Sequence, residues 1–267
     1  MKNKILKRLL IWLTVIYLTV IVGVYVLQKY IIFQGEKLET TYQFDFDKPF
    51  EENFIDTPDG KQLNTLLFKT ELNRKGLVLY FHGNADNLQR WGKYHVDFNS
   101  RGYDVLMMDF RGFGKSTGIP NEALFYKDAK LIYDWVKKKY PDDELIIYGR
   151  SLGCGIASNL AAQVNAKMVF LETPFHSFGE LIRGRSKLFF FPFNFRYDFP
   201  NYLHLQRITE PVIIFAGTED WVVPNSSTEK LKPYLKPTDR YINIDSAGHK
   251  NLNAFKKYHE ELDLILQ

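Results

Sequence analysis

Five residues near the middle of the chain, Gly149-Arg150-Ser151-Leu152-Gly153, have the GxSxG spacing that presents a serine as a nucleophile. That chemistry needs a tight turn between a strand and a helix, which lifts the hydroxyl clear of the sheet, with glycines where side chains would clash. The string alone is weak. Here the apolar run Leu145–Tyr148 precedes it and an Ala-rich segment, residues 155–163, follows it, which is the required context. A serine hydroxyl also needs a base, and the base needs an orienting acid. For an elbow of this kind the expected chain order is serine, acid, histidine. Four histidines follow Ser151: His176, His204, His249 and His259. His249 falls in a loop after the last apolar run, at the carboxyl end of an expected strand. His259 flanks the apolar stripe of the last helix and reads as structural, and His176 and His204 precede any acid that follows a strand. The acid candidate is Asp220, in Gly217-Thr218-Glu219-Asp220, with Glu219 its neighbouring alternative. Charge developing on a carbonyl oxygen needs preorganised N–H donors. His82-Gly83-Asn84-Ala85 ends the run Leu77–Phe81 where a loop supplies one such donor. The backbone N–H groups of Asn84 and Leu152 are the candidates, with Ala85 a substitute for Asn84 and His82 shaping the loop.

The elements that must hold these residues are legible as a rhythm. Leu77–Phe81, Val105–Met108, Leu145–Tyr148, Met168–Leu171, Val212–Phe215 and Tyr241–Ile244 are almost continuously apolar, as strands buried on both faces of a parallel sheet are. Between them lie helical patterns. Residues 122–140 place Phe125, Ala129, Ile132 and Val136 on one stripe, capped by Asn121 and ended by Pro141. Residues 254–266 repeat the pattern, and residues 51–69 read as a hairpin about Asp59-Gly60. The order predicts an α/β fold: a mostly parallel central sheet flanked by helices. Residues 174–210 break the rhythm. They hold ten aromatics in 37 residues, Phe189, Phe190, Phe191, Phe193, Phe195, Tyr197 and Phe199 among them, and read as an inserted cap or lid.

The N-terminus is different in kind. Leu9 to Leu27 carries no charge and is long enough, at about 1.5 Å per residue, to span a bilayer core of ~30 Å. Residues 1–30 are therefore expected to be a basic tail and transmembrane anchor, with residues 31–267 the globular domain. A cleaved signal peptide would have a shorter apolar core and small residues at its end, whereas Tyr25, Val26, Leu27 and Gln28 stand here. Four basic residues precede the stretch, while Lys29 and Lys37 follow it. The positive-inside bias then puts the N-terminus in the cytoplasm and the body on the extracytoplasmic side. The chain's net charge of +4 sits in this region: removing its five basic residues leaves 30 basic against 31 acidic ones. A near-neutral body carries no nucleic-acid footprint. The single cysteine, Cys154, excludes an internal disulfide and a Cys-based zinc cluster. Gly114-Lys115-Ser116 lacks the earlier glycine of a phosphate loop, which falls on Asp109, and Gly112-x-Gly114 has Thr117 where a dinucleotide fingerprint needs its third glycine. No His-Glu-x-x-His string marks a zinc peptidase.

Taken in order, the pieces resemble the α/β-hydrolase superfamily, and within it the membrane-anchored serine hydrolases of the ABHD and lysophospholipase-like kind. The matching residues are Phe81-His82-Gly83-Asn84-Ala85, Asp109-Phe110-Arg111-Gly112-Phe113-Gly114-Lys115-Ser116, Gly149–Gly153, Gly217–Asp220 with Val223-Pro224, and Gly248-His249. The resemblance covers residues 50–267. It implies a Ser151–Asp220–His249 triad with no metal, and no cofactor is expected. Cys154 stands where relatives often carry a second glycine and reads as a small buried residue. The expected activity is hydrolysis of an acyl ester through an acyl-enzyme. The expected partners are an acylated or lipid-like substrate and a membrane. A peptidase or amidase on the same fold, a noncatalytic anchored binding module, and acyl transfer to an acceptor other than water all remain open, as does the oligomeric state.

Overall fold

In the computed structural model, residues 2–141, 144–185 and 193–267 are described. The strands among them are β1 (Gln34–Gly35), β2 (Phe50–Asp56), β3 (Gln62–Phe68), β4 (Gly76–Phe81), β5 (Ala85–Asp86), β6 (Tyr103–Met108), β7 (Leu145–Arg150), β8 (Met168–Glu172), β9 (Val212–Gly217) and β10 (Arg240–Ile244). The α-helices are α1 (Lys2–Ile32), α2 (Leu88–Trp91), α3 (Val96–Asn99), α4 (Glu122–Lys139), α5 (Leu152–Ala161), α6 (Phe178–Arg185), α7 (Asn201–Leu205), α8 (Asn225–Glu229) and α9 (Lys256–Ile265).

Eight strands form one sheet in the order β10-β9-β8-β7-β4-β6-β3-β2. All neighbours are parallel except β2 with β3 and β3 with β6. The six apolar runs of the sequence are the parallel strands. Side chains alternate between the two faces, so Leu77, Leu79 and Phe81 join one apolar core, while Val78 and Tyr80 join the other. The first core is closed by α4 and α5 through Phe125, Ile132, Val136, Ile156 and Leu160. The second is closed by Trp91, Phe98, Tyr258 and Leu262 from α2, α3 and α9. Burying each of these large side chains is worth about 1.5–3 kcal/mol, which ties the sheet to both helical layers. Asn121 caps α4 by accepting from the Leu124 N–H at 3.3 Å. The hairpin predicted about Asp59-Gly60 is β2–β3, with Phe50 opposite Phe68 and Asp56 opposite Gln62.

α1 has 31 residues and is largely exposed. By length and composition it is apolar enough to cross a membrane. Its last turns are seated on the body: Gln28, Ile32 and the adjoining Phe33 are buried. The seat comes from the segment expected to be a cap. The Phe33 ring meets Tyr197 at 4.9 Å and Phe199 at 6.3 Å, Tyr25 meets Phe193 at 5.1 Å, and the Arg196 N–H donates to Gln28 Oε1 at 2.8 Å. Phe189, Phe190 and Phe191 lie outside the described residues.

Candidate active site

Every candidate residue lies beyond the carboxyl end of a parallel strand. Ser151 follows β7, Asp220 follows β9, His249 follows β10, and Asn84 follows β4. Ser151 sits between β7 and α5 with φ 53° and ψ −115°, a left-handed backbone that a serine rarely adopts. The turn is held from behind: the Ser151 N–H donates to the Glu172 carbonyl at 2.9 Å. Gly153 is demanded by closeness. A Cβ there would stand 2.1 Å from the carbonyl oxygen of Phe81.

The structure brings three of the predicted residues into one line. The Ser151 hydroxyl is 2.9 Å from His249 Nε2, and His249 Nδ1 is 2.7 Å from Asp220 Oδ2. In the neutral imidazole with its proton on Nδ1, that nitrogen donates to the carboxylate and Nε2 is left to accept from the serine. The other Asp220 oxygen accepts from the N–H groups of Val222 and Val223, both at 2.8 Å. Asp220 is buried, whereas Glu219 is exposed. The acid and base loops are also laced together, since Glu219 N–H donates to the Ala247 carbonyl at 2.9 Å and Ser246 N–H to the Thr218 hydroxyl at 2.8 Å.

The other histidines lie elsewhere. His204 is buried, with Nδ1 2.9 Å from the Ser158 hydroxyl. His176 stacks on Tyr202 at 4.3 Å, and His259 Nε2 bonds the Asn253 carbonyl at 2.7 Å. His82 is fully buried against Phe110, with Nδ1 2.7 Å from the Gly83 carbonyl and Nε2 3.3 Å from Asp109 Oδ1. Burial pushes the Asp109 carboxyl up, against the pull of His82. Leu152 opens α5, where N–H groups have no partner within the helix. The Cys154 thiol is buried 3.1 Å from the Gly149 carbonyl, and that burial raises its pKa well above the ordinary thiol value.

A cavity of about 240 Å³ borders Ser151 and His249, together with Gln34, Asn84, Trp91, Tyr94, Arg150 and Trp221. None of the described residues of the 174–210 segment lines it. Sequence reasoning missed several members of this site. Arg150 and Glu172 form a buried ion pair at 3.0 Å, and the Arg150 guanidinium lies 4.3 Å from the Tyr94 ring centre. Glu172 also accepts from Tyr258 at 3.0 Å and from Tyr148. The available signal was a charged residue ending each of two apolar runs. Gln34 and Trp221 carried no signal in the sequence. Among the described residues, no group of three or more His, Cys, Asp or Glu side chains is placed to hold a metal ion.

The strand order, and the elbow following a central strand, give the chain the α/β-hydrolase fold. A family model for that fold matches residues 76–202. Alpha/beta hydrolase domain-containing protein 17B of Homo sapiens is 28% identical over 210 residues, covering 77% of this chain and 71% of that protein. Lysophosphatidylserine lipase ABHD12 of Mus musculus is 36% identical over 188 residues, covering 61% of this chain and 46% of that protein. Among solved structures, the Pyrococcus furiosus esterase Pf2001 superposes with a TM-score of 0.69 over 87% of this chain and 98% of its own, at 18% identity.

Proposed function

We propose that the protein is a serine hydrolase that cleaves acyl esters of lipid-like or acylated substrates at a membrane surface, where α1 anchors it. The observation that carries this reading is the continuous Ser151–His249–Asp220 line of hydrogen bonds at the rim of a cavity. Ser151 Oγ attacks the ester carbonyl as His249 Nε2 takes its proton. Asp220 keeps the ring oriented and balances the imidazolium. The tetrahedral oxyanion is held by the N–H groups of Asn84 and Leu152. His249 returns the proton to the leaving alcohol, and water then releases the acyl group by the same path in reverse.

Two further observations support the lipid-like substrate. The cavity is bordered by Gln34, only two residues beyond the end of α1, and by Trp221, which is 73% exposed. An exposed tryptophan at a cavity mouth suits the boundary between water and lipid. A sequence relative points the same way, being named as a lysophosphatidylserine lipase.

Ser151→Ala tests the reading. It should lower kcat on an acyl ester by on the order of 10⁴–10⁶-fold and abolish labelling by a fluorophosphonate probe. Full activity in that variant would overturn the reading. A series of esters from short to long acyl chains checks the substrate class, and the longer chains should be preferred.

A further inference from the structure

The anchor does more in this structure than tether the body. Its last residues pass without a linker into strand β1, which pairs with the loop that carries Asn84. The Asn84 side-chain amide donates to the Ile32 carbonyl. Gln34 and Gly35 then pair in parallel with Ala85 and Asp86, as strand β1 against strand β5. Beyond them, the Glu36 N–H donates to the Asp86 carbonyl at 3.1 Å, and the Asn87 amide donates back to the Glu36 carbonyl at 3.3 Å. Strand β5 belongs to a two-stranded sheet whose other member is β1. The loop's backbone register is thus supplied by the residues that leave the membrane helix.

Those residues are fixed on their other sides. Ile32 and Phe33 are buried, and the Phe33 ring is packed against Phe125, Tyr197 and Phe199. The Gly114 N–H donates to the Glu36 carbonyl at 2.8 Å. Gly35 lies so close to the Phe113 ring that an added Cβ would stand 2.3 Å from it. The loop itself needs outside support, because Asp86 has φ 63°. A non-glycine residue in that region persists only when its surroundings over-determine it. Trp91 and Arg90 add support, through Trp91 Nε1 donating to the Ala85 carbonyl at 2.6 Å and an Arg90–Asp86 ion pair, but both come from the loop's own continuation.

Oxyanion donors act only when they sit within about 2.7–3.1 Å of the developing charge. A misplacement of roughly 1 Å costs on the order of 10²-fold in rate. We infer that residues 32–36 are a positioning device for the oxyanion-binding loop, so that the seating of the membrane anchor sets the rate of the chemical step. This rests on the serine-hydrolase reading above. Asn84 plays two separable parts in it: its N–H faces the reaction, while its side chain positions the loop by grasping the end of α1.

The test uses the full chain in detergent micelles and a soluble short-chain ester. Asn84→Ala keeps the backbone N–H and removes the grasp on Ile32. It should lower kcat about 10–100-fold with KM unchanged. Affinity for a boronic acid that mimics the tetrahedral intermediate should fall by the same factor, while the melting temperature stays near that of the wild type. Gly35→Ala, which pushes β1 off the buried Phe113 ring, should show the same losses of kcat and boronate affinity together with a lowered melting temperature, and serves if Asn84→Ala does not fold. An unchanged kcat in both variants overturns the inference, as does a lowered kcat with unchanged boronate affinity. Loss of the folded state in both would also overturn it, because the segment would then build the body rather than position one loop. Ser151→Ala separates this from the underlying reading. If wild-type turnover depends on Ser151 and both variants behave as wild type, only the present inference falls.

Discussion

Ser151 holds a backbone conformation that costs on the order of 1–3 kcal/mol, and the residues around it show how that cost is met. Glu172 binds the Ser151 N–H with its carbonyl and the Arg150 guanidinium with its side chain, so one residue of β8 grips both sides of the elbow. The helix that follows is fixed from below by another buried polar group, His204, whose ring meets Ser158 of α5. Burial, with the nearby Arg207 charge, pulls the His204 imidazole down to about 4. A histidine that resists protonation when folded stabilises the fold fully above its unfolded value of about 6.5. That contribution is lost as pH falls from there through the folded value, and is worth up to about 3 kcal/mol. Melting curves from pH 7 to pH 4 should therefore fall more steeply for the wild type than for His204→Gln. Parallel curves would show that His204 does not govern this window. Ser151 and His249, the proposed nucleophile and base, could be singled out in the sequence because each stands alone in its motif. Asp220 was the acid candidate there, with Glu219 beside it as the alternative, since both follow the same strand. Only the turn, which buries Asp220 under the Val222 and Val223 N–H groups and leaves Glu219 in solvent, distinguishes them.

Among the elements, those with a long apolar signal were legible and the short ones were not. The parallel strands, α4 and the β2–β3 hairpin follow from apolar continuity, an asparagine cap and an Asp-Gly turn. β1 and β5 have two residues each, too few to carry any period, yet they join the end of α1 to the candidate oxyanion loop. The aromatic segment 174–210 was legible as an interruption, but composition does not say which surface its rings cover. Three of its described rings, Phe193, Tyr197 and Phe199, lie against the end of α1, and the last two meet at Phe33. Removing a buried phenylalanine costs about 3–5 kcal/mol. Phe33→Ala in the full chain should lower the melting temperature of the body in detergent by several degrees. It should cost much more than Phe54→Ala, whose side chain is 43% exposed. Equal, small effects would mean that the contacts of Phe33 with Tyr197 and Phe199 hold nothing in place.

For the whole molecule, we propose that α1 spans a bilayer; its direct passage into the body would then restrict how the body sits there. A helix of 31 residues is about 46 Å long, well beyond the ~30 Å of a hydrocarbon core. The excess lies at two ends of different character. One end carries Lys4, Lys7 and Arg8, which belong in water or among headgroups; the other is held against the body at Gln28, Ile32 and Phe33. With α1 in a bilayer, as proposed, and no linker to absorb distance, the body would rest against the membrane surface and the cavity that Gln34 borders would open near the headgroups. The basic tail then sets the side. We propose that it stays in the cytoplasm, because loops rich in Lys and Arg are retained there while domains cross. Trypsin added to sealed vesicles with the cytoplasmic face outward should cut only within the first eight residues and leave the body intact. Vesicles of the opposite orientation should lose the body and retain a protected fragment containing α1. The reverse pattern would place the body in the cytoplasm. It would mean that the few basic residues on the body side of the uncharged stretch, Lys29 and Lys37, outweigh those on its other side because the folded body holds them in place.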